Sequence, residues 1–444
     1  MYVTSTVPLK KVKKRQETLS SAINKDISPN LVIIHANQLV TLDSKYGAPR
    51  IGDQMKDLTI IEDGAIAVTN NVIEFVGTTE ELYSFYNINR DTIIIDAKNK
   101  LVTPGFVDPH THIIFDGSRE NELEMKLDGM SYLEILNAGG GILKTVRATR
   151  AASLEKLVEN GKKILDHMIK FGTTSIETKS GYGLDAESEF KSLRAAKILN
   201  NEHSIDITST FLAHMIPPEY KDKKADYMDL IISEMIPKIA NEELAEFCDV
   251  FCEEGIFTID DARNILNVAK HFGLKPQIHV DEIVDTNGAL LAAELNAVQA
   301  GHLLKSNKDG LKAMAKAGVI ATLLPGTPFS LMSKEYAAAR KMIEYRIPIA
   351  LATDLNPNCW TESMQMIIAL ACYNMKMYPS EALTAATLNA ACAIQRQDEI
   401  GSIEISKKAD ILIFNIPNFK FLPYKFGMNL IDQVIKNGKI VFKN

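Results

Sequence analysis

His110-Thr111-His112 sets two imidazoles two residues apart. In an extended strand that spacing puts both side chains on one face, where they could grip one cation from one side. His279 and Asp354 would complete a set of three histidines and one carboxylate. Nitrogen and oxygen ligands of this kind suit Zn2+ or Fe2+, with a position left open for water. Glu282 stands three residues after His279, placed to exchange a proton with such a water. His302 could orient Glu282 or hold the water. The expected metal ligands are therefore His110, His112, His279 and Asp354, and the expected catalytic residues are Glu282, His302 and Asp354. A His-x-His pair is weak evidence alone; the flanking Pro104-Gly105-Phe106-Val107-Asp108-Pro109 and Ala352-Thr353-Asp354 strengthen it.

Residues so far apart need a scaffold that gathers them. Apolar, strand-like runs occur at 106–112, 173–178, 206–212, 247–252, 276–281, 297–302, 318–323 and 348–353. Helical stretches such as 154–171, 259–271, 306–317, 334–345 and 361–375 lie between most of them. Thr258-Ile259-Asp260-Asp261 and Ser306-Asn307-Lys308-Asp309 read as capping boxes that open two of these helices. Eight strands with helical crossovers suit an α/β fold of the (β/α)8 TIM barrel type, whose C-terminal strand ends converge on one mouth. A doubly wound open sheet competes, and strand counting alone does not separate the two. The residues that end the runs point to a barrel mouth: His110 and His112, Tyr182, His214, Glu253, His279 with Glu282, His302 and Asp354. Five of the nine histidines would face that mouth, while His35, His167, His203 and His271 read as structural or solvated.

Short apolar or alternating stretches with turns between them fill residues 31–103 and return at 409–414 and 434–441. The two ends are expected to build one small β-sandwich domain together. The resulting order is a basic tail (1–30), a β segment (31–103), the barrel (104–395) and a closing β segment (396–444).

The 444 residues, with 46% hydrophobic and 24% charged, describe an ordinary globular chain with a large core. A formal net charge of −7 argues against a general nucleic-acid binder. No apolar run approaches the roughly 20 residues that span a bilayer, and the start lacks a secretory core, so a cytoplasmic location is expected. Five cysteines, with Cys248 and Cys252 in an apolar run, read as core packing in a reducing compartment. Lys10, Lys11, Lys13, Lys14 and Arg15 read as part of a solvated tail.

Val102-Thr103-Pro104-Gly105-Phe106-Val107-Asp108-Pro109-His110-Thr111-His112 resembles the first-strand motif of the amidohydrolase superfamily. Gly117-Ser118-Arg119-Glu120 with Gly139-Gly140-Gly141-Ile142-Leu143, Lys179-Ser180-Gly181-Tyr182-Gly183-Leu184, Ile278-His279-Val280-Asp281-Glu282 and Leu324-Pro325-Gly326-Thr327 are similar to the imidazolonepropionase family within it. The similarity runs from about residue 31 to 442. It implies hydrolysis of the ring amide of 4-imidazolone-5-propanoate to N-formimidoyl-L-glutamate, one Zn2+ or Fe2+/Fe3+ per subunit, and a homodimer. No strand-end lysine clearly matches the bridging carbamate of two-metal relatives, so a single metal is the simpler expectation. The implied substrate carries a propionate, which a guanidinium matches in bidentate fashion, so Arg119 is the candidate partner. Tyr182 and His214 would hydrogen-bond carboxylate and ring, Asn356 is similar to a family position that contacts the opened product, and Asn358 and Cys359 would border the substrate pocket.

Plainer readings stand beside these. Arg119 could pair with Glu120 or Glu122 on a surface loop, Tyr182 could cover a turn at the rim, and His302 could be a satisfied core residue. The glycines at 139–141 read as a flexible loop, since no P-loop lysine follows. Three features depart from the family pattern: Asn358-Cys359-Trp360 where a glycine and a small hydroxyl residue are usual, a stretch before Pro217 one residue short that could displace His214, and Gly301 before His302. The rivals are another single-metal enzyme, such as a cytosine-deaminase-like aminohydrolase that would not need Arg119 with Tyr182, and a scaffold that has kept only the fold.

Overall fold

The computed structural model describes residues 28–130, 134–135 and 138–444. The basic cluster from Lys10 to Arg15 lies outside the described residues. Seven strands come first: β1 (Leu31–Ala36), β2 (Gln38–Val40), β3 (Ile60–Ile61), β4 (Gly64–Thr69), β5 (Val72–Thr78), β6 (Ile93–Asp96) and β7 (Leu101–Pro104). Eight parallel strands follow: β8 (Phe106–Thr111), β9 (Thr173–Lys179), β10 (Asp206–Ala213), β11 (Phe247–Cys252), β12 (Lys275–Val280), β13 (Gln299–His302), β14 (Ile320–Leu323) and β15 (Ile349–Leu351). The chain closes with β16 (Ile411–Phe414), β17 (Ile431–Lys436) and β18 (Lys439–Lys443).

Strands β8 to β15 pair strictly in sequence order, each with the next. The ring is closed at its C-terminal edge, where the amides of His112 and Asp354 donate to the carbonyls of Leu355 (2.8 Å) and His110 (3.1 Å). Asp108 reinforces this seam by accepting from the Thr353 amide (3.1 Å) and hydroxyl (2.6 Å). This is a (β/α)8 barrel and not an open sheet.

The helices form where the sequence alternates at helical spacing. In the helix Leu154–Met168, Leu157, Ile164, Leu165 and Met168 fall on one face and are buried, and Ser153 caps its start. The Thr258 capping box is present. At the other expected box the cap is Asn307, whose side chain accepts from Asp309 and Gly310, and the helix runs Lys308–Ala317. Ser306 instead donates to Asp281 at 2.6 Å. Gly105, between β7 and β8, has no room for a side chain: a Cβ there would sit 2.2 Å from Thr174.

Both chain ends enter one six-stranded sheet, ordered β18-β17-β16-β7-β2-β3, beside a four-stranded sheet, β5-β4-β1-β6. Leu31, Ile33, Ile66 and Val68 from the smaller sheet share a buried cluster with Val102, Ile411, Ile413 and Ile435 from the larger. Lys436 ties this layer to the barrel, bonding Asp410 (2.6 Å) and Asp206 (2.8 Å). Cys248 and Cys252 are buried and unpaired, as packing requires. Among the described residues, no helix is long and apolar enough to cross a membrane.

Candidate metal centre

The ligand atoms of His110, His112 and His279 all lie within 4.8 Å of one another, and all three rings are buried. Strand alternation turns His110 and His112 inward together, and His279 projects from β12 across the mouth. Asp354 comes from the loop after β15 and holds Oδ1 3.6 Å from His110 Nε2 and 3.4 Å from His112 Nε2. Its φ of 52° is left-handed, a backbone cost that aims the carboxylate at the histidines. Thr327 donates to the other carboxylate oxygen.

The donor set fits a cation. His110 Nε2 is buried with no hydrogen-bond partner among the described residues. An orphaned imidazole nitrogen facing two other imidazoles and a carboxylate is costly unless something positive sits between them. Burial pushes His110 well below its ordinary value and His279 down to about 4, which keeps both rings neutral and fit to ligate. Burial works to raise Asp354, but the His112 hydrogen bond and the charge of His302 hold it far below the usual carboxylate range.

Glu282 reaches to 3.6 Å from His302 Nε2. Burial raises its carboxyl above the ordinary value, against the opposing pull of His302. His302 has a φ of 71° and is 3% exposed.

The expected substrate residues divide into two groups. Tyr182 is buried at the mouth with its ring 5.8 Å from His112 and 5.5 Å from His214. His214 stacks on His112 at 5.9 Å, so the short stretch before Pro217 has not carried it out of the mouth. Its Nδ1 donates to the Gly181 carbonyl at 3.0 Å, and burial lowers its pKa to about 3. A neutral ring with Nδ1 so engaged offers Nε2 as an acceptor.

The others are already partnered. Arg119 is not on an open surface loop: its side chain is 8% exposed and grips Glu122. Asn356 spends its side chain on its own turn, donating to the Asp354 carbonyl (2.7 Å) and accepting from the amides of Asn358 (2.8 Å) and Cys359 (3.1 Å). Asn358 accepts from Lys126 at 2.8 Å. Burial pushes the Cys359 thiol up to about 12. Arg119, Lys126, Asn358, Cys359, Phe329 and Trp360 line a cavity of about 910 Å³. The triple glycine precedes the helix Ile142–Ala151, and the Gly141 amide donates to Glu122 at 2.7 Å.

Sequence reasoning missed Lys126, Asp249, Glu177 and Lys179. Lys179 does end a strand, but it is wholly buried and bonded to Glu177, Gln277 and Asp249, each at 2.8 Å. Asp249 accepts from His279 Nδ1 at 3.0 Å, which leaves Nε2 of that ring for the centre. Burial pushes Glu177 up to about 7; against burial, His279 and Lys179 hold Asp249 far below the usual range. A signal was available: Glu177 and Lys179 stand two apart on β9 and so share one face, and Asp249 is the one charged residue in the apolar strand β11. The four histidines set aside do lie elsewhere; His35 and His167, for example, pair with Asp96 and Glu362 at 3.2 Å.

A profile of the Amidohydrolase family matches residues 101–441. The chain is 51% identical over 417 residues to an imidazolonepropionase of Alkaliphilus metalliredigens, covering 93% of this chain and 98% of that one. It is 50% identical over 414 residues to an imidazolonepropionase of Geobacillus kaustophilus, covering 93% and 97%. Among solved structures, an adenosine deaminase from Xanthomonas campestris with bound zinc aligns with a TM-score of 0.67 at 17% identity, over 93% of each chain. E. coli guanine deaminase aligns at 0.68 with 14% identity, over 93% of this chain and 99% of that one. At those identities the likeness shows the barrel fold.

Proposed function

The chain belongs to the amidohydrolase family, and from that premise we infer that it is the hydrolase that opens the ring amide of 4-imidazolone-5-propanoate to give N-formimidoyl-L-glutamate. The buried His110–His112–His279 cluster facing Asp354 carries the chemical part of this reading. The imidazolonepropionase relatives that span nearly the whole chain carry the substrate part and weigh against an aminohydrolase.

His110, His112, His279 and Asp354 would hold one divalent ion per subunit, zinc or iron. Such an ion, when bound, supplies a Lewis acid and lowers the pKa of water from about 15.7 towards about 7. Glu282, its carboxyl raised by burial, accepts a proton from the attacking water and returns it to the departing ring nitrogen. The water oxygen bonds to the ring carbonyl carbon as the carbon–nitrogen bond breaks, so the two halves of water end on the new carboxyl and the freed nitrogen. His302 holds Glu282 in place from 3.6 Å.

Arg119 binds the propionate, and Glu122 keeps the guanidinium fork oriented for it. His214 Nε2 accepts from a ring N–H, and Tyr182 closes the same wall. Asn356 shapes the turn that presents Asn358 and Cys359 to the pocket. The working unit is a homodimer in the cytoplasm, where five unpaired cysteines are at home.

The test is hydrolysis of imidazolonepropionate by the purified protein before and after chelation. Turnover that chelation abolishes and Zn2+ or Fe2+ restores supports the reading. Folded, metal-loaded protein that leaves the substrate intact overturns it.

A further inference from the structure

Barrel interiors of this class are usually packed with branched aliphatic side chains. One layer here is ionic. Lys179 on β9 pairs in register with Thr210 of β10. Its side chain crosses the inner face of β10 to reach Asp249 Oδ2 on β11 and Gln277 Oε1 on β12, while Glu177 Oε1 on its own strand takes a third contact. Three acceptors at 2.8 Å match the three N–H bonds of an ammonium. The other oxygen of Asp249 lies 3.0 Å from His279 Nδ1.

Resting on the metal-dependent reading above, we propose that Lys179 is a positioning residue for the metal centre, acting through Asp249. A carboxylate one carbon from the backbone can still turn about two bonds. The Lys179 contact on Oδ2 fixes its plane so that Oδ1 faces the His279 ring. That hydrogen bond in turn fixes which nitrogen of His279 carries the proton and aims the lone pair of the other at His110 and His112. Ions inside a barrel are expensive to desolvate, and a hydrophobic layer would be no less stable. The layer makes sense if its product is orientation. A long unbranched cation on β9 is needed because two strand spacings separate it from Asp249 on β11 and three from Gln277 on β12.

The experiment uses the full-length, metal-loaded protein. Zn2+ affinity is read by competition with a chromophoric chelator, and folding by circular dichroism, for wild type, Lys179→Met, Asp249→Asn and the double variant. Each single variant is expected to fold and to bind Zn2+ about 10- to 100-fold more weakly. The double variant is expected within about threefold of Asp249→Asn, because residues acting through one contact do not add. Lys179→Arg, which keeps the charge, recovers part of the loss. Folded Lys179→Met with wild-type Zn2+ affinity overturns the proposal, and so do single losses that multiply in the double variant. If Lys179→Met does not fold, Lys179→Gln is judged by the same criteria. Wild-type protein that takes up neither Zn2+ nor Fe2+ removes the metal-dependent reading itself, a result distinct from unchanged affinity in the variants.

Discussion

Arg119 and Glu122 face each other through two parallel contacts, Nε to Oε1 at 2.9 Å and Nη2 to Oε2 at 2.7 Å, with both side chains nearly buried. The same Glu122 Oε1 accepts the Gly141 amide. One carboxylate therefore orients the guanidinium and anchors the end of the triple glycine. Replacing Arg119 by Lys keeps the charge but loses the planar fork. A charge-assisted bond is worth about 1.5–3 kcal/mol, so Arg119→Lys is expected to raise KM by about 10- to 100-fold with a smaller change in kcat. Steady-state kinetics at saturating metal checks this.

Lys126 shares the cavity with Arg119. Among the described residues it has no ion pair, only the Asn358 amide at 2.8 Å. Burial, then the nearby Arg119 charge, lowers its pKa. A half-buried cation without a counter-ion favours an anionic ligand. Lys126→Met should weaken binding of the dicarboxylate product, with thermal stability unchanged or improved. Product inhibition constants and a melting curve read the two effects separately.

Glu282→Gln keeps shape and removes the proton acceptor. Loss of general acid–base catalysis costs about 10^2 to 10^4 in rate, so kcat is expected to fall by that range. Metal content, measured by elemental analysis, should stay at the wild-type level. Loss of metal along with rate would place Glu282 among the ligands instead.

Asp354→Ala removes the carboxylate that lies 3.6 Å from His110 Nε2 and 3.4 Å from His112 Nε2. The expected outcome is folded protein with little bound metal and no turnover. A ligand that binds only the native state stabilises it by mass action. Metal should therefore raise the melting temperature of wild type and leave that of Asp354→Ala almost where it was.

Lys436→Met tests the joint between the end sheets and the barrel. It strands Asp410, which is buried, and weakens Asp206. Breaking a buried pair from one side typically costs about 3–5 kcal/mol, so the denaturation midpoint should drop sharply. The site is at the opposite end of the strands, so kcat and KM at low temperature should be unchanged.

Much of the centre was legible in the chain because it obeys local rules. Two-residue alternation puts His110 and His112 on one face whatever surrounds them, and the strand runs were bounded to within a residue or two by their apolar character. Runs that each end in a ligating or polar residue can share a site only if their ends converge, which a barrel does. The second capping box was misassigned because Ser306 and Asn307 are both good caps; the choice fell to Asp281, which lies 25 residues away and takes the serine hydroxyl.

Hydrogen-bond partnership was decided only by the tertiary structure. The sequence offered both Glu120 and Glu122 to Arg119 on a surface loop; that Glu122 takes it and is buried with it, and that Asn356 spends its amide on its own turn, came from the fold. Asp249 meets His279 across 30 residues, and Asp108 meets Thr353 across 245. Residue type and spacing determine which face a side chain takes and what chemistry it can offer. Which donor satisfies which acceptor depends on distances between strands brought together by barrel closure, and burial then makes every unmatched group costly.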